Sequence, residues 1–229
     1  MKWEKCVFLG VTLIFLIFLF FVFSSHRLIL DENIGDINGD DENESIVLMK
    51  RAFRKYGEEI IIYSNDGKEI YREDFSELKP WKVAVGDVDG DGICEISIGV
   101  YKETLFHPIM AKRPFVYNFV ENSLHPKWRG SRLSRPFTDY IFYDIDVDKV
   151  DELISIEILD SGDKVINTYK WKGFGFESFV QSSNYEDIFT AHEEDDLVHI
   201  EYSDAGHRVK GVLNYCDGIL TIERVVGDV

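Results

Sequence analysis

The stretch Val83-Ala84-Val85-Gly86-Asp87-Val88-Asp89-Gly90-Asp91-Gly92-Ile93-Cys94-Glu95-Ile96-Ser97-Ile98-Gly99 decides the fold. An alternating apolar run enters it and another leaves it, the period of half-buried strands. Between them Asp87, Asp89, Asp91 and Glu95 hold positions 1, 3, 5 and 9 of a short loop. Oxygen-bearing side chains on alternate residues, separated by glycines, let a tight turn fold around a hard cation such as Ca²⁺. Without a counter-charge those carboxylates repel one another.

The pattern occurs twice more. Asp36, Asn38, Asp40 and Glu44 form one copy, entered by Ile34-Gly35 and left by Ile46-Val47-Leu48. Asp144, Asp146, Asp148 and Glu152 form another, entered by Ile141-Phe142-Tyr143 and left by Leu153-Ile154-Ser155-Ile156. A period of roughly 50 residues with a strand on each side is the signature of a blade repeat.

The exit strands exclude an EF-hand. That loop needs a bidentate glutamate at position 12 and a following helix, and position 12 here is Val47, Ile98 or Ser155. A carboxylate at position 9 before an alternating strand fits a cation-stapled β-turn. The plain alternative is an Asx-turn with solvated carboxylates. The copies differ in how well they fit. The first has Asn38 at position 3 and Asp41 in place of the second glycine, yet keeps its oxygens. The third has Val147 and Lys149 where the glycines belong. A β-branched residue resists positive φ, and Lys149 brings a cation to a cation site.

On these residues Val83–Val100 resembles the FG-GAP, or integrin α-chain-like (VCBS-type), repeat. The Gly99-Val100 pair stands where that family has Gly-Ala; the Phe-Gly half of its signature is not visible. The resemblance covers the three loops and their flanking strands. It implies that each loop joins the two innermost strands of a propeller blade and binds Ca²⁺. It also implies that Asp87, Asp89, Asp91 and Glu95 supply side chains while Ile93 offers its carbonyl.

The chain has 229 residues, 45% of them hydrophobic and 14% aromatic, which is a folding composition. Its net charge is −17. Phosphate binding needs a basic surface, so a nucleic-acid partner is excluded. Residues 1–6 carry Lys2 and Lys5, and Val7 to Phe23 is apolar apart from Gly10 and Thr12. That run is ~25 Å long as a helix, at the short end for a membrane span. The exit Phe23-Ser24-Ser25-His26 lacks a good small-x-small cleavage site. The expectation is a transmembrane signal-anchor over 7–25, with the body outside the cytoplasm by the positive-inside rule. Secretion after cleavage is the alternative. Three cysteines make no disulfide framework; a Cys94–Cys216 bridge stays open, and two buried free thiols are the preferred reading.

Turn signals divide residues 26–229 into four units, approximately 28–79, 80–137, 138–184 and 185–229. Asn65-Asp66-Gly67, Asp160-Ser161-Gly162-Asp163, Lys172-Gly173, Asp204-Ala205-Gly206 and Cys216-Asp217-Gly218 separate β-branched or aromatic runs. The fourth unit has Glu193-Glu194-Asp195-Asp196 where a loop would fall, with the wrong spacing for a metal. Long helical periods are nearly absent. The fold class is therefore all-β and β-propeller-like, with about four four-stranded blades after one N-terminal membrane helix. It forms either a small closed ring or part of a larger one completed by self-association.

Residues 102–135 are basic within an acidic chain. Lys102, Lys112, Arg113, Lys127, Arg129, Arg132 and Arg135 cluster there, and Trp128 and Phe115 offer stacking faces. Guanidinium forks pair carboxylate or phosphate, so Lys112, Arg113, Trp128, Arg129, Arg132 and Arg135 are candidates for an anionic ligand. The competing reading has them neutralise the acidic blades through salt bridges. Gly-x-Ser-x-Gly, P-loop, dinucleotide and His-x-x-x-His patterns are absent. The expected function is a non-catalytic, membrane-anchored, calcium-stabilised binding or adhesion module with an anionic polysaccharide or protein partner. The alternatives are a lyase or hydrolase acting on an acidic envelope polysaccharide, and a purely structural envelope protein.

Overall fold

The structure, a computed structural model, describes residues 26–225. The membrane anchor expected over 7–25, and the short segment before it, lie outside the described residues. Among the described residues no helix is long and apolar enough to cross a membrane.

Sixteen strands form four antiparallel sheets of four. Strands β1–β4 are Arg27–Gly35, Glu44–Arg51, Glu59–Tyr63 and Glu69–Asp74. Strands β5–β8 are Lys82–Gly86, Glu95–Thr104, His107–Val120 and Ser123–Trp128. Strands β9–β12 are Phe137–Tyr143, Glu152–Ile158, Lys164–Trp171 and Phe176–Gln181. Strands β13–β16 are Ile188–Glu194, Leu197–Asp204, His207–Cys216 and Ile219–Arg224. Each sheet pairs its strands in chain order, so every connection is a hairpin and each blade is a meander from one continuous segment. The four sheets are arranged as a four-bladed β-propeller, with β1, β5, β9 and β13 innermost.

Alternation along the strands builds the seams. Ile46, Leu48, Ile60 and Ile62 of the first blade meet Val83, Ile96, Ile98 and Phe115 of the second in one buried cluster. Ala84, Val88 and Val116 meet Phe137, Tyr140, Phe142 and Leu153 in the next. Ile154, Ile156 and Ile166 meet Ile188, Val198 and Ile200 in the third. Burying side chains of this size on both faces stabilises each by about 1.5–3 kcal/mol, which is why the second strand of each of the first three blades carries a run of buried residues.

Two glycines set how closely blades approach. A Cβ on Gly35 would meet Val85 Cγ1 at 2.6 Å, and one on Gly86 would meet Phe142 Cβ at 2.5 Å. These residues end β1 and β5, so an absent side chain at the same place in two repeats lets the next blade dock.

Some elements differ from the reading of the sequence. Strand β1 was not legible because Asp31 and Glu32 interrupt its apolar run and a register shift falls between Ile29 and Asp31. Asp31 earns its position by accepting the Val83 N–H across the seam at 2.8 Å. The acidic run of the fourth blade is no loop: Glu193 and Glu194 end β13, and Asp195 and Asp196 make a two-residue turn at φ 53° and 58°. Cys94 and Cys216 are both free, as preferred, but neither is fully buried: Cys94 is half-buried, and Cys216 is exposed because it ends β15 at a hairpin.

Candidate functional site: three carboxylate loops

The three loops share one backbone plan. The first residue takes amide protons on both oxygens. Asp36 accepts from Gly39 at 2.7 Å and Asp41 at 2.9 Å; Asp87 accepts from Gly90 at 2.7 Å and Gly92 at 2.8 Å. Asp144 accepts from Asp148 at 3.0 Å and Lys149 at 2.7 Å. The fifth residue closes its own turn: Asp40, Asp91 and Asp148 accept from Glu42, Ile93 and Val150 at 2.9, 2.9 and 3.0 Å. The second residue, Ile37, Val88 or Ile145, points into the core. Positions 4 and 6 are left-handed in every copy: Gly39 and Asp41, Gly90 and Gly92, Val147 and Lys149. Val147 at φ 63° keeps the turn against its β-branch, a strain of order 1–3 kcal/mol that the surrounding bonds must hold. The resistance expected of Val147 and Lys149 thus does not abolish the third loop.

The ninth residue is the anchor. Glu44, Glu95 and Glu152 are almost wholly buried. One carboxylate oxygen of each accepts the N–H of position 2: Ile37 at 3.2 Å, Val88 at 3.0 Å and Ile145 at 3.0 Å. The other oxygen faces a nitrogen. For Glu44 this is Asn38 Nδ2 at 2.9 Å. For Glu95 it is Lys127 Nζ at 2.5 Å, which also binds Asp89. For Glu152 it is Lys170 Nζ at 3.1 Å, an ion pair without hydrogen-bond geometry. Lys170 Nζ lies 2.7 Å from Asp146 and 2.6 Å from Asp148.

Asp87, Asp89 and Glu95 bring one oxygen each within 4.8 Å of one another, and so do Asp144, Asp146 and Glu152. Such a set suits a hard divalent ion. In both cages, however, an ammonium already sits among the oxygens, and a metal ion would have to displace it. In the first loop an amide takes the third position. Among the described residues no lysine or arginine pairs with Asp36, Asp40 or Glu44. Ile93, whose carbonyl the resemblance implicated, packs its side chain against Gly39 of the first loop.

The electrostatics follow from burial and these partners. Burial pushes the Glu44 carboxyl up, and Asp40 and Asp36 add to the rise. Burial also raises Glu95 against the opposing pull of Lys127 and the Val88 amide. Glu152 is pushed up to about 7 by burial, with Asp146 adding to it. Burial alone would lower Lys127 and Lys170, but their carboxylate partners outweigh it and both rise. The ammonium groups therefore keep their protons. Asp36 moves the other way: the amide protons of Gly39, Asp41, Asn38 and Asp40 outweigh its slight burial and hold it below the usual range.

The loops are also chained to one another. Cys94 N–H, at position 8 of the second loop, donates to the Asp36 carbonyl at 2.8 Å. Asp151 N–H, at position 8 of the third, donates to the Asp87 carbonyl at 2.7 Å, and Asp151 Oδ2 accepts the Asp87 N–H at 2.8 Å. Asp151 is pushed up to about 6, by burial first and then by Asp144, Asp87 and Glu193.

The basic segment divides in two. Arg113 is fully buried; it donates to the carbonyls of Lys102 at 2.8 Å, His107 at 3.1 Å and Ile109 at 2.9 Å. Lys112 Nζ lies 3.6 Å from the centroid of the Trp81 ring and binds the Thr138 carbonyl. Trp128 packs edge-on against Phe176, and Arg135 binds Gln181 at 2.8 Å and Glu157 at 3.4 Å. Those four serve the blades and seams. Arg129 and Arg132 are exposed. The residues that pattern reading missed are Lys170 and the cage role of Lys127. For Lys170 a signal existed: a cation near the end of β11, in register with Glu152 on β10. Nothing in the spacing marks Lys127.

Near the axis a cavity of about 770 Å³ touches the innermost strands of all four blades, with Glu32, Lys82, Phe142, His192, Glu193 and Asp196 on its wall. Lys82 is spoken for by Asp139 at 2.7 Å.

No family model matches the chain, and no curated protein matches it. Among solved structures, one described as a Xanthomonas type IV secretion system related protein is similar at 15% identity, over 86% of this chain and 93% of that chain, with a TM-score of 0.30. The strands themselves define the class: a four-bladed, all-β propeller with carboxylate loops between the first two strands of its first three blades.

Proposed function

We propose that this chain is a non-catalytic binding or adhesion module of the FG-GAP type, tethered to the membrane by residues 7–25 and held outside the cytoplasm. The observation that supports this is the β6–β7 ribbon. Pairing to β8 stops at Val116 and Trp128, yet β6 and β7 continue as a two-stranded hairpin out to Thr104 and His107. Its tip carries Leu105 and Phe106, 88% and 86% exposed. Arg113 braces the ribbon from inside through three carbonyls. A projecting element that is already ordered loses little entropy on binding. Apolar residues on such a tip mark a contact site. The chain leaves β8 at Trp128, paired with Val116 at the ribbon's base, so exposed Arg129 follows there directly and exposed Arg132 three residues on. Guanidinium groups there suit an anionic partner, polysaccharide or protein.

Calcium belongs to this reading at the first loop, where Asp36, Asn38, Asp40 and Glu44 are the candidate oxygen donors, not yet gathered within 4.8 Å as in the other two loops, and where among the described residues no lysine competes. The buried, unneutralised Glu44 supports that placement. When bound there, the ion would supply the positive charge that those carboxylates lack.

The test is retention of the detergent-solubilised full-length chain on an immobilised polyuronate. Wild type is expected to bind. Arg129→Ala with Arg132→Ala, and separately Leu105→Ser with Phe106→Ser, should each weaken binding at least tenfold. Undiminished binding by both variants removes this surface, and calcium-dependent cleavage of the polyuronate overturns the non-catalytic reading.

A further inference from the structure

We infer that Lys127 and Lys170 are the resident cations of the second and third loops, so that only the first loop of the propeller is open to an external divalent ion.

The first ground is that the two ammonium groups reach the same place by different routes. Leu153 pairs with Tyr169, so Lys170 stands directly across from Glu152 on the neighbouring strand. At the matching place in the second blade, where Ile96 pairs with Tyr117, the residue is Asn118. The second blade draws its cation from β8 instead: Lys127 reaches back over β7 to Glu95 and Asp89. Two non-equivalent positions deliver the same chemistry to the same pair of carboxylates, positions 3 and 9. The first blade has Ser64 at the matching place, where Ser45 pairs with Tyr63, and among the described residues no lysine pairs with its carboxylates.

The second ground is how firmly the lysines are held. The Lys127 side chain is 10% exposed, and its ammonium lies 5.7 Å from the Trp171 ring centroid of the next blade. The Lys170 ammonium faces three carboxylates and lies 4.8 Å from the Phe179 ring centroid. A cation tethered within its own sheet acts at a high effective concentration. A free ion must shed water and expel that ammonium to enter. The first cage offers it no such rival.

Calorimetric titration of the full-length chain in detergent with CaCl₂ decides the matter. Wild type is expected to bind one ion, Lys127→Met two, Lys170→Met two and the double variant three. Chelator should lower the melting temperature of each variant by several degrees more than that of wild type, because an ion bound only to the folded chain raises it. Three sites in wild type, or no gained site in folded variants, overturns the inference. If a variant does not fold, ¹⁵N-lysine spectra of wild type answer instead: two slowly exchanging ammonium signals should persist in excess calcium, and their loss on adding calcium overturns the inference. A wild-type count of zero, with sites gained in both variants, refutes calcium at the first loop while supporting the lysine assignment. The two readings therefore fail separately.

Discussion

The first and third loops carry nearly the same backbone bonds and opposite electrostatics. Both turn through left-handed residues at positions 4 and 6, and both bury a position-9 glutamate against a position-2 amide. The first meets that glutamate with a neutral amide from inside the loop; the third meets it with an ammonium from a neighbouring strand. A loop's shape is thus set by local hydrogen bonds, whereas its charge balance is set by whatever the adjoining strands supply. The same turn can be closed by an external ion or by a residue of the chain.

The sharpest way to break the comparison is to remove the cation. Lys170→Met leaves buried Glu152 and half-buried Asp146 beside one another without a counter-charge, and stability should fall by about 3 kcal/mol in urea melts. Asn38→Ala takes only a neutral hydrogen bond from Glu44, and the loss should be about 1 kcal/mol. Equal losses would mean that the lysine is no more than a hydrogen-bond donor.

Between these two falls a test of blade spacing. Gly86→Ala places a methyl 2.5 Å from Phe142 Cβ and 2.7 Å from Asp151 Oδ2, pressing on the seam where the second and third loops are chained. A cost of about 2 kcal/mol is expected from overpacking. Gly67→Ala, at φ +80° with no neighbour within 4 Å, isolates backbone strain and should cost about 1 kcal/mol.

The smallest effect concerns the seam between the first two blades, which has a half-buried acid but no cage. Asp31 is raised by burial, partly countered by the Val83 amide and Lys82. An acid raised in the fold holds its proton longer there than in the unfolded chain. Its contribution is therefore greatest below the ordinary aspartate value and is lost as pH climbs from that value through the raised one. Asp31→Asn should flatten that part of a stability–pH curve; an unchanged slope would assign it to other acids.

Much of this was legible from residues alone. Asp-x-Asp-Gly-Asp-Gly with apolar alternation on both sides names a turn between strands, and three copies at a blade period name the architecture. Leu28–Leu30 did not read as part of a strand because Asp31 and Glu32 follow at once, and only the docked second blade explains Asp31. Arg113 read as a ligand fork for want of any sign that β6 and β7 would wrap around it. The exposed Leu105-Phe106 tip passed as part of a basic region because exposure is not written in composition.

By itself the amino-acid order determined where the chain turns, because amide-to-carboxylate bonds two to five residues apart depend on nothing more distant. It also determined the meander of four-stranded sheets, through the period of its apolar residues. Tertiary structure alone decided which positive group meets each buried glutamate. That choice depends on strand register and on the reach of a four-carbon side chain across a twisted sheet. Lys127 and Glu95 lie 32 residues apart, and only the folded sheet brings the ammonium of one to the carboxylate of the other.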